Sequence, residues 1–111
     1  RRGMSLEQYA AVTSTNAARL LGLYPRKGAI AAGSDADITI IDPSIKKTLS
    51  MNDLHLRDYS PWEGWEIEGW PTTVMLRGKV MVDGGQLLGA PDDGQLVPRK
   101  IDPVVLRRPA F

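Results

Sequence analysis

The sequence of 111 residues contains no cysteine and only one histidine, and it has no excess of either charge. Without cysteine it can form no disulfide, no thiolate zinc site and no thiol nucleophile. Fourteen lysine and arginine residues against thirteen acidic residues give a net charge of +1, which argues against nucleic acid or anionic lipid as a partner. No apolar run approaches the roughly 20 residues that a membrane helix needs. We therefore expect no nucleic-acid or membrane partner, and the missing cysteines are compatible with a cytoplasmic location.

The sequence begins "RRGMSLEQ", so that three residues precede the first methionine, Met4. This beginning predicts that the chain is a segment of a longer protein. The alternative is that Met4 is an initiator behind a short leader. An amphipathic pattern follows Met4 where a secretory signal would have an apolar block, so we expect no such signal.

Two short helices are predicted near the N-terminus, at about residues 5–13 and 15–22. Ser5 and Gln8 have the spacing of a capping box, and apolar residues follow at helical spacing. "TSTNAARLLG" then restarts the pattern, with Ser14 or Thr15 as the N-cap and Gly22 at the left-handed exit position.

After Pro25 the pattern is that of strands and turns. Ile38–Ile41 predicts a buried strand ended by Asp42-Pro43, and residues 47–50 predict a weaker one. Residues 72–77, 79–83 and 86–88 predict a three-stranded meander with tight glycine turns. From residue 90 the chain reads as an extended arm, whose apolar residues need a surface to lie on; these are Val104, Val105, Leu106 and Phe111. The fold class is therefore mainly β with two short N-terminal helices.

Most candidates for chemistry have a simpler structural explanation. His55, flanked by Asp53 and Asp58, has no second imidazole nearby, so we expect a loop histidine bonded to a carboxylate rather than a metal ligand. No nucleophile motif supports a Ser–His pair. We expect a solvated strand edge from the alternation Glu66-Ile67-Glu68, although paired carboxylates from Glu63, Glu66 and Glu68 remain the alternative. For Trp62, Trp65 and Trp70 we expect packing or interface contacts rather than stacking on bases or sugars.

The stretch "KGAIAAGSDADITIIDP" spaces Asp35, Asp37 and Asp42 in a way that could suggest a metal loop. A calcium loop needs more acids and a terminal glutamate, and here an apolar strand follows Asp37 directly. A turn is favoured, in which Gly33 has a positive φ and Ser34 and Asp35 offer side-chain oxygens to neighbouring amides. The residues themselves predict no catalytic, cofactor-binding or metal-binding residue in this chain.

Several stretches together resemble a known family. "TSTNAARLLGLYPRKG", "GAIAAGSDADI", "DYSPWEGWEIEGWP", "LRGKVMVDGGQLLG" and "GQLVPRK" are similar, in this order, to the C-terminal region of the dihydropyrimidinase/D-hydantoinase group of cyclic amidohydrolases. The resemblance covers nearly the whole chain.

The resemblance implies a parent enzyme with a (β/α)8 barrel and a β-sandwich built from both chain ends. Such an enzyme opens the ring of hydantoins or dihydropyrimidines at a binuclear metal centre, usually zinc, held by histidines, a carbamylated lysine and an aspartate. None of these ligands maps onto this sequence, so the chain alone is expected to be inactive. Residues 1–24 would be helices from the end of the barrel domain, 25–89 the C-terminal sandwich segment without the barrel, and 90–111 an arm in subunit contacts.

The implied partners are the parent's own barrel and N-terminal sandwich strands, and further copies in a homotetramer. A sandwich without those strands has an open edge, so we expect the isolated chain to self-associate. Two other functions remain: a non-enzymatic dihydropyrimidinase-related assembly protein, and a stand-alone β module that binds a partner through its tryptophans.

Overall fold

A computed structural model describes residues 3–54 and 58–107 of the chain. Within this part the chain divides into a helical unit, made of residues 3–37, 76–78 and 90–107, and a sheet unit, made of residues 38–75 and 79–89. The described elements are, in order, α1 (Leu6–Ala10), a π-helical segment (Ala11–Thr15), α2 (Asn16–Leu20), β1 (Ile38–Thr48), a 3-10 turn (Met51–Leu54), β2 (Glu66–Leu76), β3 (Lys79–Asp83), β4 (Gln86–Leu87), a second 3-10 turn (Pro91–Asp93) and α3 (Pro103–Arg107).

The start of the N-terminal helix is the predicted capping box. The Gln8 amide donates to the Ser5 hydroxyl at 3.2 Å, and the Ser5 amide donates to the Gln8 side chain at 2.9 Å. Two of the amides that a helix start leaves without partners are thereby satisfied.

The two predicted helices form the two α segments of one continuous helix, joined by the π-helical segment Ala11–Thr15. The predicted N-cap at Ser14 or Thr15 is wrong, because Thr15 has helical backbone angles and makes no capping bond. Its hydroxyl instead donates to the Gly28 carbonyl at 2.8 Å. A side chain that was expected to begin a helix therefore ties this helix to the following loop.

The helix ends at the predicted glycine. Gly22 has φ of 70°, and the Leu23 amide donates to the Ala18 carbonyl at 2.8 Å, which is the long bond of a Schellman motif. Glycine is favoured here because other L-residues are strained at positive φ.

The sheet is four-stranded and antiparallel, in the order β1-β2-β3-β4. The meander that the sequence predicts is present as β2, β3 and β4. β1 differs from its prediction in two ways. It continues past Asp42-Pro43 to Thr48, so that it takes in residues 47 and 48 of the segment 47–50 that the sequence predicts as a second strand. Its residues Thr39, Ile40 and Ile41 are exposed, where the sequence predicts a buried strand. Two register shifts against β2, between Ile40 and Ile41 and between Asp42 and Lys46, let the strand pass a proline that cannot donate to the ladder.

A two-residue turn, Arg77-Gly78, joins β2 to β3. Both residues have positive φ, 48° and 82°, as a type I′ hairpin turn requires. Arg77 is the one non-glycine residue with positive φ in the described chain.

The C-terminal arm is extended only in part. It contains the 3-10 turn Pro91–Asp93 and the short helix α3, and the Lys100 amide donates to the Gly22 carbonyl at 2.9 Å. Phe111, which was expected to need an apolar surface, lies outside the described residues.

The described chain has almost no core of its own. Ala18 and Ser60 are its buried residues, and no large side chain is fully buried in the part that the structure describes. Eighteen large apolar residues are exposed instead, among them Leu6 at 84%, Ile30 at 88% and Leu96 at 98%. None of the described helices has the length and apolar character needed to cross a membrane.

Candidate functional site: a lysine–aspartate network

The most strongly connected charged cluster surrounds Lys27, in the loop between the N-terminal helix and β1. Its ammonium group lies 2.9 Å from Asp35 Oδ2 and forms a second short contact with Asp37 Oδ2. Arg26 Nε adds a third ion pair, at 3.0 Å from Asp35 Oδ2. The Lys27 side chain is 16% exposed, which is the lowest value among the four charged side chains of this network.

The loop backbone holds these groups in place. The Asp35 amide donates to the Arg26 carbonyl at 2.8 Å, which closes residues 26–35 into one loop. Gly33 has the predicted positive φ, of 89°. The expected role of Ser34 is wrong in detail, because its hydroxyl donates to the Pro25 carbonyl at 2.8 Å instead of accepting from an amide.

Asp37 extends the network to the β2–β3 turn, 40 residues further along the chain. Its Oδ1 accepts the backbone N–H of Arg77 at 2.8 Å, and next to it the Gly78 amide donates to the Ala36 carbonyl at 2.9 Å. The Arg77 guanidinium in turn donates to the Asp93 carbonyl. These bonds explain why a non-glycine residue is stable at positive φ, since its amide has a charged partner.

The ionisation of the network follows from its contacts. The hydrogen bond from Lys27 lowers the pKa of Asp35. Burial opposes the charge on Asp37, but the hydrogen bonds from Lys27 and from the Arg77 amide lower the pKa of Asp37 nonetheless. Burial likewise opposes the charge on Lys27, and its bonds to Asp37 and Asp35 raise its pKa. The network therefore stabilises the fold most between the ordinary carboxyl and lysine pKa values, about 4 and 10.

The ion pairs and hydrogen bonds of this network stabilise the loop ahead of β1 and its contact with the β2–β3 turn. Both carboxylates, Asp35 and Asp37, for which the sequence favours a turn over a metal loop, are bound to the same ammonium, which takes the place that a cation would need. None of the three ionisable groups has its pKa moved toward neutrality, as a general acid or base would require. What the sequence did not reveal was the role of Lys27 and of the Arg77 amide.

A second charged cluster lies in the sheet unit, around Asp53. One carboxylate oxygen accepts from the Ser50 amide at 3.0 Å and from its hydroxyl at 2.9 Å, and the other accepts from Lys47. The Lys47 ammonium also lies 4.3 Å from the centre of the Trp70 ring, a cation–π contact. Hydrogen bonds from Lys47 and Ser50 lower the pKa of Asp53 to about 2.

This lowered pKa predicts an acid-sensitive contribution to the stability of the sheet unit. Because the folded pKa of Asp53 lies below its unfolded value, the stabilisation is complete above about pH 4 and is lost as the pH falls toward about 2. We expect Asp53→Asn to lower the urea midpoint at pH 7 and to lose much less on acidification than the unchanged chain. Asp58→Asn is the control for loss of one carboxylate from the same unit. An equal acid response in all three proteins would contradict the assignment.

The remaining candidates do not converge on one site. His55 lies outside the described residues, so its role stays a prediction. Glu66 and Glu68 lie on β2 opposite Thr48 and Lys46, and Lys46 pairs with Glu68 at 3.1 Å between side chains that are both largely exposed. The alternation Glu66-Ile67-Glu68 thus lies on a solvated strand, as predicted. The expected strand edge is wrong, because β2 is an inner strand of the sheet and this segment is paired with β1.

The three tryptophans and Asp42, the third aspartate of the stretch ahead of and within β1, differ in their surroundings. Trp62 and Trp65 are about half exposed, whereas Trp70 lies under Lys47. Asp42 accepts from the Ser44 amide at 2.8 Å and from its hydroxyl at 2.7 Å, a local turn within the irregular part of β1.

The donor set of the described residues does not suit a binuclear metal centre. No group of three His, Cys, Asp or Glu side chains comes together within residues 3–54 and 58–107. We therefore assign no step of any metal chemistry to these residues.

Comparison with known proteins establishes the family. The model of the amidohydrolase family matches residues 1–81, which is most of the sequence. The chain belongs to the amidohydrolase family.

Individual relatives narrow the similarity to one group. A D-hydantoinase of Rhizobium radiobacter is 45% identical over 98 residues, which are 87% of this chain and 21% of the relative. A dihydropyrimidinase of Rattus norvegicus is 40% identical over 87% of this chain and 19% of the relative. The chain thus spans about a fifth of the length of these curated relatives.

Solved structures show the same similarity in the fold. The D-hydantoinase from Bacillus sp. AR9 matches with a TM-score of 0.84 and 45% identity, over 88% of this chain and 22% of that one. The D-hydantoinase (dihydropyrimidinase) from Thermus sp. matches with a TM-score of 0.83 and 44% identity, over 87% and 21%. The predicted resemblance to this group and the predicted fold class are confirmed.

Proposed function

We propose that this chain is the non-catalytic, C-terminal structural part of a metal-dependent cyclic amidohydrolase of the hydantoinase type. The observation that carries the proposal is the missing core. A folded domain of this length would bury roughly two-thirds of its unfolded surface, yet the described residues expose Leu6, Ile30 and Leu96 almost completely. Covering each such side chain would contribute roughly 1.5–3 kcal/mol.

The covering surface is proposed to be the rest of the same polypeptide, namely the barrel and the N-terminal sandwich strands. Two facts support this occupant: the relatives are about five times longer than the matched region, and the exposed apolar residues occur in both units. The parent enzyme is proposed to be a homo-oligomer, with this segment contributing to its assembly.

The reaction proposed for the parent follows from the names of its relatives, D-hydantoinase and dihydropyrimidinase. It is the hydrolytic opening of a cyclic amide in a hydantoin or dihydropyrimidine ring. A binuclear zinc centre with a carbamylated lysine would supply the activated water, and its ligands are proposed to lie outside this chain. The residues of this chain would hold the fold around the site, and the Lys27 network would fix the loop ahead of β1.

A graft tests the proposal. The 98 matched residues of the Rhizobium radiobacter D-hydantoinase are replaced by their counterparts from this chain. We expect the graft to hydrolyse hydantoin within about tenfold of the parent kcat/KM, a change of about 1.4 kcal/mol in transition-state stabilisation. His55→Ala in the graft should have little further effect, since no catalytic role is assigned to His55.

The isolated chain with added Zn²⁺ is the matched negative control, and it should show no turnover above buffer. Turnover by the isolated chain would refute a non-catalytic role. A folded, metal-loaded graft without activity would show that this region carries something the reaction needs.

A further inference from the structure

The end of the N-terminal helix meets the C-terminal arm at one glycine. The Gly22 carbonyl accepts the Lys100 amide at 2.9 Å. A Cβ placed on Gly22 would lie 2.5 Å from the Lys100 carbonyl carbon and 2.6 Å from both the Lys100 oxygen and the Ile101 nitrogen. These neighbours are backbone atoms of the arm, which a side-chain rotation cannot move away.

Residues of the helix end and of the arm also line a cleft beside this contact. A cleft of about 350 Å³ remains open beside it, and its lining alternates between the helix end and the arm; the polar lining residues are Arg19, Tyr24, Lys100 and Asp102. Arg19 lies over the Tyr24 ring, at 4.7 Å from its centre, rather than across the cleft. The backbones of the arm and of the helix end therefore approach each other closely at Gly22, next to a cleft that both segments line.

A second fixed point lies earlier in the arm. The Arg77 guanidinium donates to the Asp93 carbonyl, and the Asp93 carboxylate accepts the Ala90 amide at 2.7 Å. Between Asp93 and Lys100 the chain has no helix or strand. The arm is thus fastened to its own helical unit at residues 93 and 100, with an irregular segment between them.

We propose that the helix end, residues 21–23, is an intrachain docking surface whose partner is residues 99–101 of the same chain. Gly22 determines the fit through its missing side chain, in addition to its positive φ. Gly22 meets two structural requirements: it ends the helix in a Schellman motif, and it leaves room for the backbone of the arm. The requirement for room is independent of the proposed enzymatic function. Gly33 provides a natural comparison, because its φ is 89° but a Cβ there would meet no atom within 4 Å.

The test compares Gly22→Ala with Gly33→Ala in the full chain. Both substitutions impose a left-handed alanine, but only the first places a Cβ against the arm. The readouts are amide hydrogen exchange at Lys100 and the initial rate of tryptic cleavage after Arg99 and Lys100. We expect both rates to rise about tenfold in Gly22→Ala and less than about twofold in Gly33→Ala, because local opening controls both readouts.

Gly22→Asn separates the two requirements further, since asparagine tolerates positive φ but keeps a Cβ. It should release the arm as Gly22→Ala does while leaving the helix amides, for example that of Ala18, close to their original exchange rates. Equal rates in Gly22→Ala and Gly33→Ala would overturn the proposal. So would a fully protected Lys100 amide in the Gly22→Asn protein, because the positive φ would then be the whole requirement.

Discussion

Asp37→Ala is expected to detach the β2–β3 turn from the loop ahead of β1, and to speed exchange of the Gly78 amide by about 5- to 30-fold. The substitution removes the acceptor of the Arg77 N–H and one of the two carboxylates on Lys27. Leaving such partners unsatisfied typically costs about 1–3 kcal/mol, and the partial exposure of Asp37 favours the lower half of that range. The Gly78 amide is a direct probe because it donates to the Ala36 carbonyl beside this contact.

Two further variants show which part of the contact matters. Asp37→Asn keeps an acceptor for Arg77 but loses the ion pair, so its exchange rate should be intermediate. Asp42→Ala is the matched control, because Asp42 is an aspartate five residues further along the chain that accepts its hydrogen bonds locally, from Ser44. If Asp42→Ala accelerates the Gly78 amide as much as Asp37→Ala does, the long-range role of Asp37 is wrong.

The isolated chain is expected to self-associate and to bind a dye that reports exposed apolar surface. The described part has eighteen exposed large apolar residues and an 11-residue edge strand, β1, in which Ile40 and Ile41 are 47% and 44% exposed. Exposed strand edges and apolar patches of this kind pair with other chains. Light scattering after size exclusion should therefore give a mass well above 12.2 kDa.

Charge on β1 should reduce this association. Ile40→Lys removes apolar surface and places a lysine on the edge strand, a device by which natural sheets avoid pairing. Ser44→Lys adds the same charge to the same strand without removing apolar surface, so it should have the smaller effect. A monodisperse monomer at tens of micromolar, with a mass near 12.2 kDa, would contradict the expectation.

Local signals in the sequence were sufficient for much of the fold. The capping box at Ser5, the exit glycine Gly22 and the glycine turn between the predicted strands 72–77 and 79–83 each depend on residues a few positions apart, and the structure has all three. The alternation on β2 is equally local, because the side-chain period of a strand is two.

Local signals do not predict features that depend on residues far apart in the sequence. The sequence around Thr15 fits a helix N-cap, but the Thr15 hydroxyl donates a hydrogen bond to the Gly28 carbonyl, and the helix continues through a π-helical segment. Asp42-Pro43 fits the end of a strand, but β1 pairs with β2 on both sides of this dipeptide and therefore continues beyond it. In both cases a contact formed only in the folded chain outweighs the local preference.

In the Lys27 network, too, local features follow from the sequence and long-range contacts do not. Sequence spacing was enough to favour a turn over a metal loop at Asp35 and Asp37. It could not identify Lys27 as their common partner or the Arg77 amide as the second donor, because those contacts span 8 to 40 positions and depend on the fold.

Hydantoin hydrolysis by the grafted Rhizobium radiobacter D-hydantoinase is the most direct measurement of the central claim. The claim is that this chain supplies structure and not catalytic groups to a hydantoinase-type enzyme. It predicts a folded, metal-loaded graft with kcat/KM within about tenfold of the parent enzyme, and no turnover by the isolated chain under the same conditions. A folded, metal-loaded graft that leaves hydantoin intact, or an isolated chain that hydrolyses it, would contradict the claim.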